Sequence, residues 1–169
     1  VLWALGLVSE WTGIAIGSLL KLPAIAADLA LAVAVFALAA ELGASRRASL
    51  AAAAAVLFVP ITWFDSAVWA QVDSVGTLVL VLAVRELWRG HSERAAILTT
   101  IAAIIKPQSG ILRPLAAIVI LRREQVERPV DDTWLGRRLG GGPVRIATVT
   151  LAGLATATLV CLPFGLAIL

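Results

Sequence analysis

The chain has 169 residues, of which 60% are hydrophobic and 15% are charged, and its mean hydropathy is +0.96. Soluble domains are close to half apolar and a quarter charged, and a soluble domain of this composition would expose large apolar patches. We therefore expect an integral membrane protein. The net charge of +3 comes from arginines in short loops without interleaved aromatic residues, which argues against a nucleic-acid partner. A single Cys and a single His exclude an internal disulfide and a credible metal site.

Apolar runs separated by short polar loops predict an all-α, polytopic bundle of transmembrane helices, since Ala- and Leu-rich runs favour helix and lack the alternation of barrel strands. The chain contains no Met, which predicts a fragment of a larger bundle or a processed product. We interpret 1–169 as one transmembrane domain. Its first run, 1–20, is broken by glycines and Glu10, and we leave open whether it spans. The others are 22–42, 48–64, 67–84, 95–105, 111–121 and 144–169.

Two neighbouring runs, 95–105 and 111–121, are too short to cross a hydrocarbon core of about 30 Å at about 1.5 Å per residue. They form either one kinked helix with Lys106 in mid-membrane or a hairpin that turns at Pro107 and Gly110. We favour the hairpin, because a kinked span would put Arg94 and Arg122 on opposite sides. The tips of such short helices need protein neighbours or a water-filled cavity, and we expect a site there.

Basic residues set the predicted orientation, because cytoplasmic loops of membrane proteins are enriched in Lys and Arg. If the spans alternate, only Lys21, Lys106 and Arg113 lie at or near the extracytoplasmic face, together with the stretches "WFDSAVWAQVDS" and "KPQSG". The segment 122–143 becomes a solvated cytoplasmic loop, with binding of anionic lipid headgroups as the weaker alternative. The arginines on the cytoplasmic side are Arg46, Arg47, Arg85, Arg89, Arg94, Arg122, Arg123, Arg128, Arg137, Arg138 and Arg145.

Polar side chains open the run at 67–84, where Trp69, Gln71, Asp73 and Ser74 follow one another closely. An ordinary interfacial cluster explains the Trp as part of an aromatic belt and Asp73–Ser74 as an N-cap. It leaves Gln71 unexplained, because a further polar group beside the cap adds a desolvation cost. The helix that starts here points outward, and its free N–H groups favour an anion such as a phosphate.

Lysines and a carboxylate complete the candidate site. Lys106, next to Gln108, either snorkels to the interface or binds a phosphate as a point charge; we favour the second, since lysine is disfavoured on this face. Arg113 has the same two interpretations. Lys21 and Asp28 are seven residues apart on one helix face, and Asp28 either pairs with a neighbouring helix or takes part in the site.

The stretches "LLKLPAIAADL", "WAQVDS" and "KPQSGILRPL", in this order and at these spacings, resemble the GT-C superfamily of polytopic glycosyltransferases that use a polyprenyl-phosphate sugar. The resemblance covers 19–121 and is nearest to bacterial relatives of the GPI mannosyltransferase II. Family members often read W-G-Q-x-D-S and K-P-Q here. Trp69, Gln71, Asp73 and Ser74 match the first motif, with Ala70 where Gly is usual, and Lys106, Pro107 and Gln108 match the second. Arg113 stands where an aliphatic residue is usual.

The resemblance implies a mannosyltransferase of the bacterial plasma membrane without metal or cofactor, which moves a sugar from the polyprenyl phosphate to a lipid-linked or glycan hydroxyl. The residues that would bind the substrates are Lys21, Asp28, Trp69, Gln71, Asp73, Ser74, Lys106 and Gln108. A carboxylate would deprotonate the acceptor, and basic residues would stabilise the leaving phosphate.

In the family the base usually lies in the first extracytoplasmic loop, which would precede Val1; Asp73 and Asp65 are the weaker candidates within this chain. We therefore expect these residues alone to bind a polyprenyl phosphate without transferring sugar. Two other classes stay open. One is a secondary transporter or ion-relay protein that uses Asp28, Asp73 and Lys106, and the other is a non-catalytic assembly subunit surrounded by membrane lipids.

Overall fold

The computed structural model describes residues 2–126 and 142–164, and in these ranges it contains helices and no strand, which confirms the all-α class. Contacts divide the chain into two compact units, Val1–Val81 (unit 1) and Leu82–Leu169 (unit 2), and the predicted single domain stays a prediction. The helices are α1 (Leu2–Thr12), α2 (Ile16–Leu19), α3 (Leu22–Glu41), α4 (Arg46–Phe58), α5 (Pro60–Trp63), a π-helix (Phe64–Val68), α6 (Asp73–Trp88), α7 (Ser92–Ile105), a 3-10 helix (Pro107–Ile111), α8 (Leu112–Val126), α9 (Gly142–Cys161) and a 3-10 helix (Leu162–Phe164).

Unit 1 is built around α3, which begins and ends within one residue of the predicted run 22–42. Pro23 lies in its first turn, where the missing N–H is tolerated. Gly43 ends the helix with a φ of 88°, a left-handed conformation that glycine adopts without strain. The Ser45 hydroxyl then accepts a hydrogen bond from the Ala48 N–H and caps α4, which packs against α3.

The predicted run 48–64 is divided at Pro60 among α4, α5 and the start of the π-helix. Pro60 has no N–H, and it forces Val59 into an extended conformation with ψ at 122°. The helical path bends by 45° between Arg46–Phe58 and Pro60–Val68. In the run 67–84, Ala67 and Val68 complete the π-helix and α6 starts at Asp73.

Unit 2 contains the predicted hairpin. Lys106 is extended, with φ at −147° and ψ at 112°, and it separates α7 from the 3-10 helix and α8. Ala96 near the start of α7 and Ile120 near the end of α8 line the same cleft, which two halves of one long helix could not do. The hairpin, rather than the kinked helix, is therefore confirmed.

α9 packs against α7 and α8, and the three helices leave a cleft of about 230 Å³, which we call the α7–α9 cleft. Small buried residues such as Ala95, Thr99 and Ala102 line the packed face of α7. Such residues let helices approach closely. At Gly153 of α9, an added Cβ would lie 3.5 Å from the Thr100 hydroxyl, an ordinary van der Waals contact.

Among the described residues, one helical segment is long and apolar enough to cross a membrane; it is Ile16–Glu41, which comprises α2 and α3. The bent pair Arg46–Phe58 plus Pro60–Val68 would be a second span if it acts as one. The first predicted run, 1–20, divides into α1, a left-handed Gly13 and the short α2. Both ends of the polar loop predicted at 122–143 are helical, since α8 continues to Val126 and α9 begins at Gly142. Residues 127–141 lie outside the described ranges.

Candidate functional site

A tightly turned segment joins the π-helix to α6 and carries most of the residues singled out in the sequence. The Trp69 N–H donates to the Phe64 carbonyl at 3.1 Å, and the Gln71 N–H donates to the Asp65 carbonyl at 2.9 Å. The rings of Phe64 and Trp69 meet edge to face, with centroids 5.3 Å apart. Ala70 lies between these bonds with a φ of 55°. The segment is therefore held by its own backbone and by one aromatic pair.

Three buried polar side chains connect this segment to α3. The Ser74 hydroxyl donates a short hydrogen bond to Asp28 Oδ1, and the Ser66 and Ser74 hydroxyl oxygens are 3.2 Å apart. Because the single Ser74 proton goes to Asp28, Ser66 donates to Ser74. Asp28 and Ser74 are each 7% exposed and Ser66 is fully buried. We call Asp28, Ser66 and Ser74 the polar triad.

The polar triad shows how the buried Asp28 is satisfied, and a part of Asp28 in the site stays a prediction. A carboxylate buried in an apolar helix is costly unless it is hydrogen-bonded, and Ser74 supplies that bond from another helix. Asp28 therefore pairs with a neighbouring helix, and it holds the start of α6 against α3. The expected N-cap at Asp73–Ser74 is wrong for Ser74, because Ser74 lies inside the first turn of α6 and its hydroxyl is committed to Asp28.

The other predicted residues of unit 1 lie nearer the surface. Lys21 is half-buried and directly precedes α3, and its carbonyl accepts the Ile25 N–H at 3.0 Å. Trp69 is 61% exposed, and Gln71 is also exposed. Asp73 is half-buried at the first position of α6, where its carboxylate lies at the positive end of the helix dipole.

The "KPQSG" stretch of unit 2 interrupts the hairpin at its turn. The half-buried Lys106 has an extended backbone, and its carbonyl accepts the Ser109 N–H at 2.8 Å. Gln108 is exposed, whereas Ser109 is 8% exposed. Lys106 and Gln108 therefore lie together on a short turn. Their predicted convergence with Lys21 and Asp73 involves both units and stays a prediction.

A second polar cluster, at the end of unit 2 where α6 ends and α7 begins, was missed by the sequence analysis. The Glu86 carboxylate lies 2.7 Å from His91 Nδ1 and 3.5 Å from the guanidinium groups of Arg89 and Arg94. The His91 side chain is 18% exposed and lies against the Glu86 carboxylate.

Two further arginines tie other helices to this end of unit 2. Arg123 of α8 donates to the Leu87 carbonyl and Arg145 of α9 donates to the Gly90 carbonyl, each at 2.7 Å. Four arginines predicted to share one side of the membrane thus share one end of unit 2; they are Arg89, Arg94, Arg123 and Arg145.

Ser66 was also missed, although a signal existed: it lies eight residues before Ser74 in the same polar stretch.

Within the described residues no group of His, Cys, Asp and Glu side chains is placed to hold a metal ion. No family model matches the chain, and no curated protein and no solved structure matches it either.

Proposed function

We propose that this chain belongs to a polytopic membrane glycosyltransferase of the GT-C type, which moves a sugar, mannose in the first instance, from a polyprenyl phosphate to a lipid-linked or glycan acceptor. The observation that carries the proposal is the hydrogen bond between Ser74 and Asp28. It joins "LPAIAADL" and "WAQVDS", two of the three stretches on which the resemblance rests, into one piece of structure.

The backbone at Ala70 adds independent support. Family members often have glycine at this place in the motif, and Ala70 is the one residue other than glycine with a positive φ among the residues described. Glycine is the residue that adopts such a conformation without strain. The motif glycine and the left-handed turn of this chain therefore call for the same local geometry.

In the proposed reaction the acceptor hydroxyl attacks the anomeric carbon of the donor sugar, and the bond from that carbon to the phosphate oxygen breaks. The polyprenyl phosphate leaves with the electron pair, and a carboxylate takes the hydroxyl proton. Lys106 and the amino end of α6 would stabilise the phosphate. Asp28 is a positioning residue rather than the base, because it is buried and accepts from Ser74. Asp65 and Asp73 are half-buried and remain the candidates within this chain.

Multi-pass insertion, with the site on the extracytoplasmic side, is part of the proposal. The arginine-rich end of unit 2 would face the cytoplasm, and the turn with Lys106 would face the opposite side. At ~1.5 Å per residue, α6, α7 and α8 are each ~20–25 Å long, shorter than the hydrocarbon core. Short helices of this kind need protein neighbours at their ends.

A secondary transporter is the competing proposal, because a buried carboxylate in a long apolar helix is also what an ion relay uses. The two classes separate in one pair of assays on membranes that contain the full-length protein. Radiolabelled polyprenyl-phosphate mannose should yield a labelled lipid or glycan product, which membranes lacking the protein do not form. Sealed vesicles should show no ion-driven uptake of mannose. Uptake without any labelled product would reject the glycosyltransferase and favour the transporter, whereas neither signal would favour a subunit without chemistry.

A further inference from the structure

The walls of the α7–α9 cleft are mostly apolar, with three threonines among them. Ala96, Ile120 and Gly153 contribute from three different helices. The Thr99 hydroxyl donates to the Ala95 carbonyl at 2.9 Å, and the Thr150 hydroxyl donates to the Ile146 carbonyl at 2.8 Å. Because these two hydroxyls are satisfied by their own helices, the Thr100 hydroxyl and Arg113 are the described lining groups left to contact a polar part of a ligand.

Arg113 is the one charged residue among the described residues that line the cleft. It lies near the start of α8, at the end of the cleft nearest the hairpin turn, and it is exposed. Its guanidinium makes no hydrogen bond or ion pair with any residue that the structure describes, and no carboxylate lines the described part of the cleft. Arg113 is therefore a cation without a counter-charge among these residues, beside a mostly apolar cleft. A ligand with an anionic head and an apolar body would be complementary to this arrangement.

We propose that the α7–α9 cleft binds an anionic phospholipid, with the phosphodiester on Arg113 and part of one acyl chain along the helices. Arginine presents a planar fork of N–H donors that fits two phosphate oxygens at once. From Arg113 to Ile120 the cleft runs seven residues along α8, or ~10 Å, which accommodates a segment of a single chain. The binding of this lipid does not depend on the proposed glycosyl transfer.

The composition of the cleft favours a phospholipid over the sugar donor. A sugar ring requires amide or carboxylate partners for its hydroxyls, and leaving such groups unpaired costs binding free energy. The described lining offers one guanidinium, the Thr100 hydroxyl, and two threonine hydroxyls that are already bonded to backbone. A phosphodiester with acyl chains needs no more than this.

The test is native mass spectrometry of the purified full-length protein after delipidation, with dioleoyl phosphatidylglycerol or dioleoyl phosphatidylcholine added back. We expect one tightly bound phosphatidylglycerol and weak binding of phosphatidylcholine, which has the same chains. Arg113→Leu should weaken phosphatidylglycerol binding about tenfold or more, because it removes charge-assisted hydrogen bonds to the phosphate. Arg94→Leu removes the same charge outside the cleft and should leave binding unchanged.

Gly153→Leu provides a second, independent variant, since it fills the cleft while leaving Arg113 in place; it should lower phosphatidylglycerol binding as well. This variant carries the test if Arg113→Leu does not elute as a folded protein in size-exclusion chromatography. Equal retention of phosphatidylglycerol by the wild type and Gly153→Leu would overturn the proposal. So would displacement of the lipid by stoichiometric polyprenyl phosphate, because the cleft would then belong to the donor.

Discussion

Replacing Ala70 by Gly should stabilise the protein, contrary to the usual effect of introducing a glycine. Ala70 has a φ of 55°, and a left-handed conformation costs an L-residue roughly 1–2 kcal/mol. Glycine avoids that strain but loses about 0.5–1 kcal/mol more conformational entropy on folding. The difference predicts a gain of about 0.5–1 kcal/mol in the free energy of unfolding.

The matched control is the same substitution in an ordinary helical position. Ala55 is exposed in the interior of α4, so Ala55→Gly should lower the free energy of unfolding by about 1 kcal/mol. Both variants can be measured by reversible unfolding of the full-length protein with SDS in mixed micelles, followed by the helical circular dichroism signal. The two glycine substitutions are thus expected to change stability in opposite directions.

A third variant tests the same backbone conformation with a larger side chain. Ala70→Val should be destabilising, because a β-branched residue is a strong outlier at positive φ. If Ala70→Gly instead destabilises the protein as much as Ala55→Gly does, Ala70 is not left-handed, and the turn between the π-helix and α6 differs from the one described. The structural support that Ala70 gives to the glycosyltransferase motif would then disappear.

Two further predictions concern the polar triad and the topology. Ser74→Ala should lower the free energy of unfolding by about 2–3 kcal/mol, because it leaves a buried carboxylate without its donor, whereas Thr77→Ala removes only an exposed bond to the Asp73 carbonyl and should change it by under about 0.5 kcal/mol. In the Ser74→Ala background, Asp28→Asn should recover part of the loss, and purely additive effects would contradict the coupling. In a cysteine-free background, a cysteine at position 65 should react with an impermeant thiol reagent added outside the cell and one at position 89 should not; the reverse pattern would invert the topology.

The helices of this chain could be predicted where local signals dominate. The apolar run of α3, Pro23 in its first turn and Gly43 after its end are all visible in the sequence. Pro60 was visible too, but sequence alone does not say whether a proline kinks a helix or ends it. The π-helix at Phe64–Val68 could not be foreseen, since it depends on how the bent segment packs against α3.

The sequence identified most residues of the candidate site but not the hydrogen bonds between them. Asp28 and Ser74 were both identified, but they are 46 positions apart in sequence, and the hydrogen bond that joins them could not be predicted from that separation. Ser66 was overlooked although it lies in the same polar stretch as Ser74, because the motif on which the resemblance rests begins only at Trp69. Gln71 was assigned to the site from its chemistry alone; the residue is exposed, and its backbone N–H donates to the Asp65 carbonyl.

The measurement that bears most directly on the proposed glycosyl transfer is the dependence of sugar transfer on Lys106. Membranes with full-length protein would be incubated with radiolabelled polyprenyl-phosphate mannose, and the labelled product would be quantified for Lys106→Ala, Lys106→Arg and the control Arg94→Ala. The account predicts a loss of at least about tenfold for Lys106→Ala, since a charged contact to phosphate is worth about 1.5–3 kcal/mol. Lys106→Arg should retain much of the activity and Arg94→Ala all of it. Full transfer by Lys106→Ala, or no transfer by the wild-type protein, would contradict the account.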